Sequence, residues 1–166
     1  EEKNDKWVEP EFPLYFLNKQ KSEFVTLSER DGFMNIYHYN VKGELIKQIT
    51  NNKWVVTSIL GIDEETNTIY YTGTGKDPRE MHVFSVNIKT LITKKITKEN
   101  GIHRVKISPN YKYLIDQYNS INEPAITQII SLSNDKTIVI DKSKNPLENY
   151  RIGSCSMIEL ETEKNK

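Results

Sequence analysis

Residues 34–50 read MNIYHYNVKGELIKQIT, and residues 81–97 read MHVFSVNIKTLITKKIT, which is the same pattern 47 residues further along the chain. Six of the 17 aligned positions are identical, namely Met34 and Met81, Asn40 and Asn87, Lys42 and Lys89, Lys47 and Lys94, Ile49 and Ile96, and Thr50 and Thr97. A weaker third copy runs from about Pro124 to Ile140. One structural unit of about 47 residues therefore recurs along the chain.

The repeated unit is made of short strands. In residues 33–41 the even and odd positions separate into two faces, which is the period of a pleated strand. The same alternation occurs in the runs at residues 44–50, 68–72, 82–86, 102–108 and 113–118. Turn-forming residues separate these runs, and no stretch shows the apolar stripe of a long helix. The sequence therefore predicts an all-β protein.

Repeats of this length, built only from short strands, are typical of β-propeller blades, each of which is a four-stranded antiparallel sheet. The 166 residues leave room for about 3.5 such units. We therefore expect a partial β-propeller of about 3 to 4 four-stranded antiparallel blades. In this arrangement Ile36 is equivalent to Val83, and Ile49 is equivalent to Ile96. A β-sandwich with accidental repetition is the alternative.

Composition excludes several classes of protein. The 23 basic and 23 acidic residues give a net charge of zero, whereas nucleic-acid binders usually carry a basic excess. No apolar run approaches the roughly 18 residues of a membrane-spanning helix. The one cysteine, Cys155, cannot form an internal disulfide. We therefore expect a folded domain without disulfides, without a nucleic-acid partner and without a membrane span.

A search for catalytic motifs gives little. The nearest approach to the Gly-x-Ser-x-Gly nucleophile motif is the stretch at residues 153–156, which lacks the second glycine. The histidines His38, His82 and His103 lie inside strand patterns, where a lone histidine is usually exposed or satisfied by its neighbours. Neither a metal-ligand spacing nor a glycine-rich phosphate loop occurs. The residues alone predict a non-catalytic propeller fragment with no catalytic residue, no metal site and no cofactor.

Several segments, taken in their order along the chain, nevertheless resemble those of a known family. They are the stretches at residues 28–50, 54–72, 78–84, 105–113, 118–124 and 145–147. Together they are similar to the late propeller blades of dipeptidyl peptidase IV enzymes, in the prolyl oligopeptidase family. The resemblance runs from about Trp7 to Leu147, which is most of the chain.

This resemblance implies a propeller joined to a C-terminal α/β-hydrolase that removes N-terminal dipeptides of the X-Pro or X-Ala type. The family's nucleophile motif and its amine-binding glutamate motif have no match here, so no catalytic residue carries over. Trp7 and Glu9 are the weak candidates for a rim that approaches substrate. Residues 1–155 are expected to form the propeller fragment, and residues 156–166 the start of a linker toward the absent hydrolase domain.

The resemblance also implies partners and a location. Peptides would be bound through the missing hydrolase domain, and the parent would be periplasmic or extracellular. Animal members stiffen these blades with disulfides that this chain cannot form, which suggests a bacterial relative. The chain has neither an initiator Met nor a signal peptide, and we expect a cut or processed piece. A propeller-type protein-binding module with no link to a peptidase is the alternative.

The two ends of a partial propeller lack neighbouring blades. We expect apolar end faces, from Phe12, Leu14 and Phe16 at one end and from Ile126, Ile138 and Ile140 at the other. Unpaired strands near Tyr15 or residues 156–158 would add edge pairing. These faces predict a homo-oligomer or weak self-association.

Overall fold

The computed structural model describes residues 13–17, 21–151, 153 and 156–158, and all regular structure in these ranges is β. Twelve strands occur there: β1 Tyr15–Phe16, β2 Glu23–Ser28, β3 Asn35–Asn40, β4 Leu45–Gln48, β5 Val56–Asp63, β6 Thr68–Gly73, β7 His82–Asn87, β8 Thr93–Lys95, β9 Ile102–Ile107, β10 Tyr113–Asn119, β11 Ile126–Ser131 and β12 Thr137–Lys142. A search of the described residues found no helix long and apolar enough to cross a membrane. The all-β prediction is confirmed.

The strands form three four-stranded antiparallel sheets, each of which is one blade. The first blade has the order β1-β2-β3-β4, the second β5-β6-β7-β8, and the third β9-β10-β11-β12. Within each blade, strands that follow one another along the chain are therefore hydrogen-bonded neighbours. Three blades agree with the prediction of a partial propeller, and the β-sandwich alternative is wrong.

Equivalent positions of the repeat make the same backbone hydrogen bonds. The amide of Ile49 donates to the carbonyl of Ile36 at 2.8 Å, and the amide of Ile96 donates to the carbonyl of Val83 at 2.8 Å. All four side chains are buried. The predicted equivalence of these two pairs is confirmed.

The repeated threonine fixes the end of each blade. The Thr50 hydroxyl accepts the Ile36 amide at 2.9 Å and donates to the Asn35 side chain at 2.8 Å. The Thr97 hydroxyl accepts the Val83 amide at 3.1 Å and lies 3.1 Å from Nδ1 of His82. One hydroxyl thus contacts a buried backbone donor and a buried polar side chain in each of the first two blades.

Two other repeated residues join a blade to the next one. The carbonyls of Met34 and Met81 accept amides from the first strand of the following blade, each at 3.0 Å. At the fourth strand, the Lys47 ammonium donates to the carbonyl of Ile88 in the second blade. The ammonium of Lys94, at the equivalent position of the second blade, forms an ion pair with the Asp135 carboxylate in the third blade at 2.6 Å. The repeat therefore preserves contacts between blades as well as within them.

The second blade is buried on both faces because its side chains alternate. Tyr71 and Phe84 pack into an apolar cluster shared with the first blade, together with Val25 and Ile36. The residues next to them in sequence, Tyr70 and Val83, pack into a second cluster shared with the third blade. Period-two alternation thus places adjacent residues in two different interfaces.

An ungapped alignment that starts the third copy of the repeat at Pro124 is displaced by one residue from the alignment that the strands show. Strand β11 begins at Ile126, just as β3 begins at Asn35 and β7 at His82. Ile126 therefore points toward the second blade, and only 7% of it is exposed. The expectation that Ile126 lies on an apolar end face is wrong.

The other end-face residues vary in what the structure shows. Leu14, Phe16, Ile138 and Ile140 are exposed, as expected. Phe12 lies outside the described residues. Residues 156–158 are exposed but form no strand, whereas Tyr15 lies in the edge strand β1. The domain boundary at residue 155 stays a prediction, and the last strand ends at Lys142.

The threonine anchor gives a prediction for stability. Replacing Thr50 or Thr97 with Val keeps the side-chain shape but leaves a buried amide and a buried polar side chain without their partner. We expect each variant to lose about 1–3 kcal/mol of unfolding free energy, measured by urea denaturation. The control is Thr137→Val in the exposed strand β12, which should change stability by less than about 0.5 kcal/mol. Equal losses in all three variants would contradict the anchor role.

Candidate functional site

A groove lies between the second and third blades, at one end of their strands. Three connections meet there: β6 to β7, β8 to β9 and β10 to β11. The groove has a volume of about 510 Å³. Seven of its eleven lining residues are polar or charged, and the full set comprises Asp77, Arg79, Glu80, Asn100, Gly101, Ile102, Asn119, Ser120, Ile121, Asn122 and Met157. We call it the junction groove.

Backbone bonds set the floor of the junction groove. Met81 and Ile102 form a parallel bridge between the two blades, and the Met81 amide donates to the carbonyl of Gly101 at 3.1 Å. Gly101 has φ +138°, and a Cβ there would lie 2.4 Å from the carbonyl oxygen of Asn119. Glycine is therefore required where the chain crosses between the blades.

One wall of the groove carries a fixed ion pair. Arg79 donates to both carboxylate oxygens of Asp77, at 2.8 and 2.7 Å. The hydrogen bonds from the Arg79 side chain and amide lower the pKa of Asp77 to about 2. This wall consequently keeps both of its charges at neutral pH.

A buried histidine lies beneath the other wall. Nε2 of His82 is 2.7 Å from the Glu80 carboxylate, and Nδ1 is 3.1 Å from the Thr97 hydroxyl. Nε2 also lies 3.1 Å from the Lys95 ammonium, so the ring is held between a carboxylate, an ammonium and a hydroxyl. Burial lowers the pKa of His82, and the nearby positive charge of Lys95 acts in the same direction against the effect of Glu80.

A second histidine continues the polar network inward. The His103 ring lies 5.2 Å from the His82 ring, and its Nδ1 is 2.8 Å from the Asp116 carboxylate. Nε2 of His103 is 2.9 Å from the carbonyl of Glu99, and Gln128 donates to Asp116 at 2.8 Å. Both ring nitrogens of His103 therefore have an oxygen partner within the third blade and its approach.

This arrangement is suited to holding two blades together and to presenting polar groups. The hydroxyl of Ser120, at the groove, accepts the amides of Asn122 and Glu123 and so shapes its own turn. A search of the described residues found no group of three or more His, Cys, Asp or Glu side chains placed to hold a metal ion.

The sequence-predicted residues fall in different places. Trp7 and Glu9 lie outside the described residues, as do Ser154 and Cys155. Each of the three histidines has a carboxylate neighbour, and the third pair is formed by His38 and Glu23 at 2.9 Å. Nδ1 of His38 is nevertheless buried without a hydrogen-bond partner, so the expectation of satisfied strand histidines holds only in part. The pairing of His82 with His103 across two blades was not predicted. The available signal was Asp116, a carboxylate on the buried side of β10.

Comparison with known proteins assigns the class. Residues 1–125, which include the first two blades and strands β9 and β10 of the third, match the family model described as the dipeptidyl peptidase IV N-terminal region. The chain belongs to this family.

Individual relatives agree with this assignment. The chain is 24% identical to dipeptidyl peptidase 4 of Arthroderma otae, over 94% of this chain and 21% of that protein. It is 25% identical to dipeptidyl peptidase 4 of Trichophyton rubrum over the same shares. The chain thus spans about a fifth of the length of the curated relatives it matches.

Solved structures show the same fold. The crystal structure of Porphyromonas gingivalis dipeptidyl peptidase 4 superposes with a TM-score of 0.73 at 26% identity, covering 84% of this chain and 20% of that one. A Bacteroides ovatus protein assigned as a dipeptidyl aminopeptidase IV superposes with a TM-score of 0.76 at 23% identity, covering 89% of this chain and 24% of that one. The relatives are therefore both fungal and bacterial.

The buried ring of His82 predicts how stability depends on pH. Its pKa is lower in the folded state than in the unfolded state, so the unfolded chain takes up the proton first as the pH falls below about 6.5. This term is fully present above pH 6.5 and is lost on acidification, with a slope of at most about 1.4 kcal/mol per pH unit. We expect the unfolding free energy of His82→Gln to depend less on pH between about 5 and 7 than that of the wild type.

The control for this measurement is Asn35→Gln, since Asn35 occupies the same position in the first blade and does not titrate. This variant should keep the wild-type slope even if it is less stable. A wild-type slope in His82→Gln would show that His82 does not carry the pH dependence.

Proposed function

We propose that this chain is the non-catalytic propeller part of an exported serine exopeptidase that removes X-Pro or X-Ala dipeptides from peptide N-termini. The match of residues 1–125 to the dipeptidyl peptidase IV N-terminal region carries the proposal. The chain covers about a fifth of its relatives, so the activity belongs to the longer protein. The absence of disulfides in these blades supports a bacterial source, and an exported enzyme of this kind acts in the periplasm or outside the cell.

The role we propose for the blades is to wall the substrate cavity and to gate peptide entry. The junction groove is the surface best suited to this role, because the chain leaves the third blade across the same end. Asn145, Leu147 and Gly153 line a second groove of about 530 Å³, which shares residues 119–122 with the junction groove, and Met157 lines the junction groove itself.

The polar character of the groove fits contact with peptides. Asn100, Asn119 and Asn122 offer amide donors and acceptors, and the Asp77–Arg79 pair keeps its charges. Peptide backbones present amides and carbonyls, which pair with such groups. A groove of this kind would guide peptides past the rim without selecting one side chain.

The activity of the isolated chain is the first test. We expect the purified 166-residue chain to release no chromophore from Gly-Pro or Ala-Pro conjugates above the buffer background. The complete open reading frame should release it, and replacing the serine of its Gly-x-Ser-x-Gly motif should abolish turnover. A reading frame without a hydrolase would favour the alternative, a propeller-type protein-binding module.

The gating role needs a separate test in the complete enzyme. Asn122→Trp narrows the junction groove and should lower kcat/KM for a ten-residue peptide about threefold more than for a dipeptide conjugate. The control is Lys136→Trp in the exposed β11–β12 turn, at the opposite end of the blades. Equal losses on both substrates, or equal effects of both variants, would contradict gating at this groove.

A further inference from the structure

Asn100 and Gly101 form the one asparagine–glycine pair of the sequence. They lie in the bend between β8 and β9, where the chain crosses from the second blade to the third. Asn100 is exposed and lines the junction groove, whereas Gly101 is buried. An accessible side-chain amide therefore stands directly before a residue that has no side chain.

This order of residues allows the two groups to react with each other. The backbone nitrogen that follows an asparagine can attack its side-chain amide carbon, and a Cβ on the following residue obstructs the approach. Gly101 has no Cβ, so its nitrogen is the least hindered among the residues that follow asparagines in this chain. Asparagine counts among the thermolabile residues of proteins.

The hydrogen bonds around the bend leave the nitrogen of Gly101 available. The bridge to the second blade uses the carbonyl of Gly101, which accepts the Met81 amide at 3.1 Å. The carbonyl of Glu99 lies 2.9 Å from Nε2 of His103 and holds the start of the bend. The Gly101 amide itself donates no hydrogen bond to any residue that the structure describes. The bend is thus anchored through carbonyls on both sides of the attacking nitrogen.

Asn119 provides a comparison within the same groove, because it also precedes a small residue, Ser120. The Ser120 amide donates to the carbonyl of Glu123 at 3.1 Å. Asn119 is the last residue of β10, and its backbone is paired with Ile102. The nitrogen that follows Asn119 is therefore hindered by a Cβ and engaged in a hydrogen bond, whereas the nitrogen of Gly101 is neither.

We propose that Asn100 is a site of spontaneous deamidation. The Gly101 nitrogen loses its proton to solvent base and bonds to Cγ of Asn100, and the Cγ–Nδ2 bond breaks and releases ammonia. Water then opens the five-membered succinimide at either carbonyl and yields aspartate or isoaspartate. The net reaction consumes one water and releases one ammonia, without oxidation or reduction. The inference does not rest on the proposed function.

The two products act differently on the junction groove. Both add a carboxylate to a lining that already contains Asp77 and Glu80. Isoaspartate also adds one methylene to the backbone just before Gly101, where a Cβ would lie only 2.4 Å from the carbonyl oxygen of Asn119. The chain is so closely packed at this crossing that we expect isoaspartate to weaken the hydrogen bond between Met81 and Gly101. Aspartate leaves the backbone length unchanged.

Incubation of the folded 166-residue chain tests the proposal. After incubation at about pH 8 and about 37 °C, trypsin releases residues 99–104 as a peptide whose single asparagine is Asn100. This peptide should gain about 1 Da at a rate at least about tenfold above that of Asn119, which fragment spectra locate within residues 113–136. A sample digested without incubation corrects for deamidation during digestion. The rate should rise with pH, because the attacking nitrogen must lose its proton.

Two variants separate the reaction from its consequence. Asn100→Gln keeps an amide in the groove but lengthens the side chain by one methylene, so its peptide should gain no mass over the same period. Asn100→Asp supplies the aspartate product, and chromatography of its peptide distinguishes aspartate from isoaspartate in the incubated wild type. Wild-type chains that contain isoaspartate should unfold at a lower urea concentration than Asn100→Asp.

Circular dichroism before and after incubation verifies that the chain stays folded, so that the rates report on the native bend. An Asn100 that keeps its amide after about two weeks would overturn the proposal. Equal rates at Asn100 and Asn119 in the folded chain would overturn it as well, because the two sites differ in the accessibility of the attacking nitrogen.

Discussion

Burial of one sheet face against the next is the interaction on which this structure depends. A four-stranded sheet has two faces, and a blade of this size has no helix or loop to cover either one. The second blade solves the problem by sending alternate residues of β6 and β7 into two different interfaces. Each large apolar side chain buried in this way contributes roughly 1.5–3 kcal/mol, which makes the neighbouring blades a condition of its folding.

The two junctions use this principle with different chemistry. The junction of the first and second blades is dominated by aliphatic and aromatic side chains such as Tyr71 and Phe84. The junction of the second and third blades adds a line of polar groups that runs from Glu80 at the groove through the two histidines to Asp116. A buried polar network is tolerated only where its members are satisfied, and it restricts how the two blades can shift against each other. The groove that we propose to gate peptides therefore lies at the junction of the second and third blades, where the polar network restricts the relative orientation of the two sheets.

Much of the architecture could be predicted from the sequence because burial on both faces constrains the repeat. Ile36 and Val83, or Thr50 and Thr97, are alike because each pair has the same neighbours in space. The register of the third copy was harder to predict, because both faces of β11 mix polar and apolar residues and the pattern does not show which face is buried. The histidine network was not predictable in the same way, because His82 and His103 come together only when two blades pack. The family resemblance supplied the class of protein, which neither periodicity nor composition could provide.

Three repeated groups affect how a further blade could be inserted into such a chain. They are the methionine carbonyl, the threonine hydroxyl and the lysine ammonium. The first and second blades use the same three groups, two toward the following blade and one to close their own sheet. A duplicated copy inserted between them by recombination would find matching acceptors on both sides and would need no new contacts. The same insertion after the third blade would meet Ile138 instead of a lysine. A duplicated blade would therefore disturb fewer contacts between the first and second blades than after the third.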